Sequence, residues 1–300
     1  MQAWNQKLGA TVLESSAMLG ENRRSIRGGK KALGWTPYKL FYDIEFSEPW
    51  AKIEKLPSDP FQGRGDRWIV EFGRADETGT NETSRTNGTR AQSRLSWMSR
   101  LSRNSLEVRI ALSTVSEEGA EKNMRAEADG KSFDEIRAEC RAEWNALLSR
   151  AQLVKGTDEQ KKNWYTALYH LFIQPNIQTD VDGRYRGADD AIHVAKRGHY
   201  STFSLWDTFR AAHPLYTILA PERVPGFVDS LVAFGEQHGH LPMWTMWQQD
   251  GHDMIGIHSI PVIVDAWKKG LLDSWSSELE LEKGTFNNSA LQLKTPTQNF

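Results

Sequence analysis

Aromatic rings and carboxylates lie close together in two loop-like segments of the second half of the chain. In "SLWDTFRAAH", Trp206 is followed by Asp207, and in "MWTMWQQDGHD", Trp247 precedes Asp250. A glycosidase needs aromatic faces for the apolar side of a pyranose, acceptors for its hydroxyls, and two carboxyl groups beside the scissile bond. Buried tryptophans and helix-capping aspartates produce the same letters. The spacing alone therefore leaves carbohydrate chemistry and a structural role both open.

The histidines suggest a metal site as a second hypothesis, because all eight fall between His170 and His258. The sequence contains no HExxH motif. His238 and His240 are two residues apart and His252 and His258 are six apart, whereas two imidazoles on one helix face need a spacing of four. We therefore expect no zinc ion and assign no metal ligand in this chain.

Composition excludes several classes of partner. With 37 basic and 39 acidic residues the formal net charge is -2, so the chain lacks the field that would hold a nucleic acid. No stretch approaches the roughly 20 apolar residues of a membrane span. The first residues lack the basic and apolar regions of a secretory signal. The single cysteine, Cys140, excludes an internal disulfide and is expected to be a packing residue in a helix.

The first 115 residues carry strand signals. "PYKLFYDIEFS" and "LEVRIALSTVS" alternate in part, and "DRWIVEFG" is a short apolar run. These segments predict an antiparallel sheet, or part of a β-sandwich. The Ser-, Thr- and Arg-rich stretch near 74–105 predicts a disordered insertion.

Helical patterns follow from residue 116. Residues 116–154 are rich in Ala, Glu, Arg and Lys and predict linker helices. Beyond residue 155 apolar side chains recur at i, i+3, i+4 and i+7, beginning at Trp164, Val224 and Ile260. Between these helices lie loops with polar and aromatic residues. An array of this kind, with its loops at one end, is typical of an α/α barrel.

Three segments, "NWYTALYHLFIQPNIQTDVDGRYRG", "YSTFSLWDTFRAAHPLYTILAPERVPGFVDSLV" and "HGHLPMW...MIGIHSIPVIVDAWKKG", resemble signature segments of glycoside hydrolase family 92. The similarity extends from about 155 to 270, is weak over 1–105, and ends at Leu272. It implies an α+β multidomain fold, with a partial N-terminal antiparallel β-sandwich over 1–115, linker helices over 116–154 and a partial (α/α)6 barrel over 155–300 that diverges after 272.

The resemblance also implies roles for single residues. Members of the family are calcium-dependent, inverting exo-α-mannosidases that remove terminal mannose from glycans. Trp206 would then present its face to the sugar, Asp207 would accept from its hydroxyls with Arg210 orienting it, and Trp247 would help bind the substrate. Asp250 occupies the position of the general acid, where the family has a Glu one methylene longer, and Asp253 ranks second.

The resemblance leaves the activity of this chain open. In the family the catalytic base and calcium ligands lie in an Asp-rich downstream segment, and residues 273–300 do not resemble it. We therefore expect a truncated member; the alternative is a non-catalytic sugar-binding remnant or inactive gene fragment. Mannose-containing glycans are the expected partners, and an open barrel flank predicts self-association. Relatives are generally exported, which favours an extracellular or periplasmic location.

Overall fold

A computed structural model describes residues 11–34, 36–57, 67–73, 105–247, 249–252 and 254–272. The chain divides into two compact units, residues 1–147 with 180–182, and residues 148–179 with 183–300. The predicted insertion near 74–105, except its last residue, and the divergent residues after 272 lie outside the described part of the chain.

The first unit contains the predicted antiparallel sheet. Its strands are β1 (Thr11–Leu19), β2 (Ser25–Leu33), β3 (Pro37–Phe46) and β6 (Val108–Ser113), paired in the order β1-β2-β3-β6. A separate hairpin joins β4 (Lys52–Leu56) and β5 (Arg67–Glu71). Ile26, Phe46 and Trp50 form a core with partly buried residues of both the sheet and the hairpin. The strand predictions from the sequence are confirmed.

On strand β6 buried and exposed side chains alternate, and other parts of the protein cover only one face of the strand well. Arg109 and Ser113 are buried, whereas Val108, Ile110 and Leu112 remain 46%, 61% and 49% exposed. Alternation fixes which side chains share a face, and burial then depends on whether another layer packs on that face. Within the described residues, the hairpin covers only part of it.

Two helices follow the sheet. Helix α1 (Glu117–Glu127) packs against β3 and β6, and the Ser116 hydroxyl caps it by accepting from the Gly119 amide at 3.0 Å. Helix α2 (Phe133–Leu148) begins at a capping box, because Ser132 and Glu135 exchange side-chain to main-chain hydrogen bonds of 3.3 and 2.7 Å. Cys140 on this helix is exposed, so the expectation that it packs inside was wrong.

The second unit is mainly helical. Its helices are α3 (Asp158–Ile173), α4 (Leu205–Thr208), α5 (Ala212–Leu219), α6 (Val224–His238) and α7 (Ser259–Lys268), with a 3-10 turn at Pro221–Arg223. Short strands pair between them: β7 (Asn176–Ile177) with β10 (Tyr200–Ser201), β8 (Arg184–Arg186) with β9 (Ile192–Val194), and β11 (Thr245–Met246) with β12 (Gln249–Asp250). The helical spacings in the sequence thus correspond to α3, α6 and α7.

Helix α6 supplies the centre of the second core. Phe227, Val228 and Leu231 are buried on it, and they cluster with Leu205 of α4 and Val262 of α7. The helix starts with a proline in its first turn and ends at Gly239, whose φ of +93° suits glycine. None of the described helices combines the length and the apolarity needed to cross a membrane.

Candidate functional site

Trp206 and Asp207 lie on a single helical turn, α4, which the buried side chain of Leu205 fixes to the core. Leu205 is fully buried in the core, while Trp206 is 39% exposed and Asp207 is exposed. Ser204 precedes the helix, and its hydroxyl donates to the Asp207 carboxylate. Asp207 is therefore a residue of the first turn and not the helix cap. The turn therefore leaves the Trp206 side chain and the Asp207 carboxylate accessible to solvent.

Arg210 does not orient Asp207 in this structure. Its guanidinium carbon lies 5.0 Å from the centroid of the Phe209 ring, and the Phe209 ring stacks on His258 at 4.2 Å. No ion pair joins Arg210 to Asp207, although both residues are described. The cation-aromatic contact keeps Arg210 close to the turn, so it could still reach a bound ligand.

The second predicted segment forms a β-hairpin. Thr245 pairs with Asp250 and Met246 with Gln249, and Trp247 begins the turn between the two strands. Trp247 has a φ of +57°, which is unusual for a bulky residue, and its side chain is 37% exposed. The Ser201 hydroxyl donates to the Trp247 carbonyl at 2.6 Å and holds the turn in place.

Hydrogen bonds join the hairpin to the helical turn. Ser204 and Trp244 form an isolated antiparallel bridge, and the Trp244 indole donates to the Ser204 hydroxyl oxygen at 2.7 Å. The same hydroxyl donates to Asp207, while the Trp244 amide donates to Asp250 at 3.3 Å. Asp207 and Asp250 are therefore linked through Ser204 and Trp244, because the Trp244 indole and the Trp244 amide each donate one of these hydrogen bonds. The two segments that carry the candidate carboxylates lie next to each other.

Asp250 is held by its own loop. It is 4% exposed, and its carboxylate accepts from the amides of Met243 at 2.7 Å, Trp244 at 3.3 Å and His252 at 2.9 Å. These bonds fix the shape of the loop around the carboxylate. Proton transfer to a substrate would require at least one of them to open. Asp253, the second-ranked acid, lies outside the described residues.

Two histidines of the second unit, His199 and His213, are buried. His213 on α5 lies among Phe203, Tyr216 and Phe227, and burial lowers its pKa to about 4. His199 stacks on Tyr185 at 3.8 Å, and burial, with a smaller effect of the charge on His193, lowers its pKa to about 3. Both are therefore neutral packing residues at neutral pH.

Three further histidines meet beside the Asp250 loop. The ring centroids of His238 and His240 are 4.5 Å apart, and those of His252 lie 5.5 Å from His238 and 5.7 Å from His240. One nitrogen of each ring lies within 4.8 Å of the others. Burial, followed by the neighbouring imidazoles, lowers the pKa of His238. The spacing of histidines in the sequence did not reveal this cluster, because His238 ends helix α6 whereas His252 lies in the loop after the hairpin.

A comparison of the sequence with known families assigns the chain independently of the site geometry. Residues 119–297, more than half of the chain, match the description "Glycosyl hydrolase family 92 catalytic domain". The chain belongs to glycosyl hydrolase family 92. The resemblance noted in the sequence is thereby confirmed.

Solved structures place the family 92 chain in the same fold. The family GH92 α-mannosidase BT3965 from Bacteroides thetaiotaomicron, also solved in complex with mannoimidazole, superposes with a TM-score of 0.68 at 26% identity. The inverting mannosidase BT2199 from the same species gives 0.67 at 26%. The match to BT3965 covers 86% of this chain and 34% of that enzyme, and for BT2199 the shares are 86% and 33%. A search among curated proteins gave no match.

These superpositions confirm the predicted fold class. An N-terminal antiparallel sheet is followed by helices, as expected for part of the family's fold. The chain spans about a third of the length of the enzymes that it matches.

Among the described residues, no three carboxylate side chains lie close enough together to share one calcium ion. Calcium takes six to eight oxygen ligands, mostly carboxylates and carbonyls. Within the described part of the chain, the titratable side chains close enough to share one ion are the imidazoles of His238, His240 and His252. Imidazole favours zinc, copper or nickel over calcium. No catalytic step through calcium can therefore be assigned to these residues.

Proposed function

We propose that the family 92 chain recognises terminal α-linked mannose on glycans and belongs to an α-mannosidase that inverts the anomeric centre. The hydrogen bonds that link Asp207 through Ser204 and Trp244 to Asp250 carry this proposal, because they join the helical turn with the exposed carboxylate to the loop with the acid candidate. The solved relatives support the substrate class, since two of them are named as mannosidases.

Each exposed side chain has a distinct task in the proposal. The Trp206 face would cover the apolar side of a mannose ring, and Asp207 would accept from its hydroxyls. Trp247 would bound the ring from the hairpin turn, and Arg210 would donate to a ring oxygen from its position over Phe209. Calcium, which the family resemblance implies, would be bound by residues outside the described part of the chain.

Asp250 is the proposed general acid. In its protonated form the Asp250 carboxyl group would give its proton to the leaving oxygen and become a carboxylate, while the base that activates water on the opposite face would come from a residue that remains unassigned. The alternative function is that of a non-catalytic sugar-binding protein. The three amide donors around Asp250 favour this alternative, since they commit the carboxylate to the loop.

Thermal unfolding with ligand tests the sugar site. Mannose with calcium should raise the melting temperature of the chain, whereas galactose at the same concentration should not. Trp206→Ala should abolish the shift. Trp267→Ala is a matched control, because Trp267 on α7 is also 39% exposed. An unmoved melting curve in the unsubstituted chain would reject sugar binding at this site.

An Asp250→Glu variant separates the two functions. If Asp250 is an acid that is one methylene short, restoring the family's residue should raise hydrolysis of an aryl α-mannoside, by up to about a hundredfold. If Asp250 serves only the loop, the longer side chain should lower the melting temperature and produce no activity. Release of β-mannose, followed by NMR, would identify inversion.

A further inference from the structure

The three clustered histidines have a geometry that the sugar site does not use. We propose that His238, His240 and His252 form a binding site for a divalent transition-metal ion of the zinc class. Their ligand nitrogens lie within 4.8 Å of one another. This proposal is independent of the proposed function and opposes the expectation of no zinc that the linear spacing gave.

The backbone brings two of these rings together at the end of a helix. His238 is the last residue of α6, and Gly239 reverses the chain with a φ of +93° and an amide bond to the Gly235 carbonyl of 2.9 Å. His240 therefore turns back towards His238. The C-terminal carbonyls of a 15-residue helix carry partial negative charge, which favours a cation at this position.

The third ring comes from the loop that follows the hairpin. His252 has a φ of +52°, and its amide donates to the Asp250 carboxylate at 2.9 Å. The His240 Nδ1 lies 3.1 Å from the Leu241 carbonyl. If Nδ1 carries the proton, this bond orients the ring and leaves Nε2 as the metal ligand, as carbonyls that accept from metal-bound histidines do in zinc proteins.

The distances can close around an ion. Zinc-nitrogen bonds of about 2.0–2.1 Å in a tetrahedron place the nitrogens roughly 3.3 Å apart. Since the ligand nitrogens lie within 4.8 Å of one another, each pair would have to move closer by at most about 1.5 Å to bind the ion. His252 is exposed, and this exposure leaves the fourth position accessible to water. Three protein nitrogens with an open position are the ligand set of an accessible zinc site.

Occupancy would also fix the Asp250 loop. The Asp250 carboxylate already holds the His252 amide, and an ion would hold the His252 ring to α6. The loop that carries the acid candidate would then be bound to the helix at two points.

Zinc titration of the metal-free chain by calorimetry tests the proposal. One ion should bind per chain, and calcium should not compete for it. His252→Gly should weaken binding by more than the 10–100-fold that outer-shell substitutions cost, and His240→Ala should do the same. Glycine accepts a positive φ, so His252→Gly should fold normally. His170→Ala, which removes an exposed histidine of α3, should leave the affinity unchanged.

A measurement on the unsubstituted chain guards against variants that fail to fold. One equivalent of zinc should shift the ring-proton resonances of three of the eight histidines most strongly. The proposal is overturned if zinc does not bind the unsubstituted chain, if the shifted rings are other histidines, or if folded His252→Gly binds as tightly as the original.

Discussion

The buried imidazole of His213 should make the second unit sensitive to acid. Its pKa in the folded chain is about 4, against a usual value of 6.5, because burial disfavours the charged ring. The unfolded chain therefore binds a proton between these two values while the folded chain does not. The stabilising contribution of neutral His213 is complete above about pH 6.5 and is lost as the pH falls through 6.5 towards 4.

The size of the effect follows from the two pKa values. At pH 5 the unfolded ring is almost fully protonated and the folded ring is mostly neutral, which costs about 2 kcal/mol of stability relative to pH 8. Solvent screening reduces this little, since His213 is only 6% exposed. His199, with a pKa of about 3, should contribute a loss of similar size.

A His213→Phe variant isolates this contribution. Phenylalanine keeps an aromatic ring against Phe203 and Phe227 and removes the titrating group. Urea unfolding at pH 8 and pH 5 should show a loss of stability that is about 2 kcal/mol smaller in the variant than in the original chain. His170→Ala should leave the loss unchanged. Equal losses in His213→Phe and the original would refute the reasoning, whatever the variant's stability at pH 8.

Leu231→Ala removes a fully buried side chain from the core of the second unit and should cost about 2–5 kcal/mol in urea unfolding; a loss below about 1 kcal/mol would contradict the core assignment. Tyr216→Phe deletes the hydroxyl that donates to the Leu171 and Gln174 carbonyls at 2.6 and 2.7 Å, and should cost about 1–3 kcal/mol, with an unchanged midpoint as the contrary result. Ile218 on α5 is 72% exposed, so Ile218→Lys should change stability by less than about 0.5 kcal/mol. If the apolar flank drives self-association, sedimentation should show fewer oligomers for Ile218→Lys, and unchanged oligomers would place the contact elsewhere.

Local patterns predicted the helices well. The spacing from Val224 to Leu231 predicted α6, because helical contacts join residues three and four apart. The Ala-, Glu-, Arg- and Lys-rich composition of residues 116–154 likewise predicted the helices α1 and α2. Burial was less predictable, since Ile110 alternates correctly on β6 but remains exposed. Exposure depends on which layer covers a face, and a strand's own sequence does not specify that layer.

In the candidate site, too, residue identities could be predicted from the sequence whereas side-chain contacts could not. Trp206, Asp207 and Asp250 were identifiable from residue types and family resemblance, and the fold joins their segments through Trp244. The contacts of Arg210 with Phe209 could not be predicted, because a long side chain in a short turn has several partners within reach. The three amides around Asp250 are likewise fixed only when the hairpin closes.

Local spacing and residue type were enough to predict the family, the linker helices, the helices α3, α6 and α7, and the two segments that carry the sugar-binding candidates. The meeting of His252 with His238 and His240 is visible only in the folded chain. Their meeting requires a chain reversal at Gly239 and a hairpin that returns His252 to the end of α6. Side chains can bind one metal ion only if they are close together in space. Residues 12 or more positions apart in the sequence come that close only when the core packs.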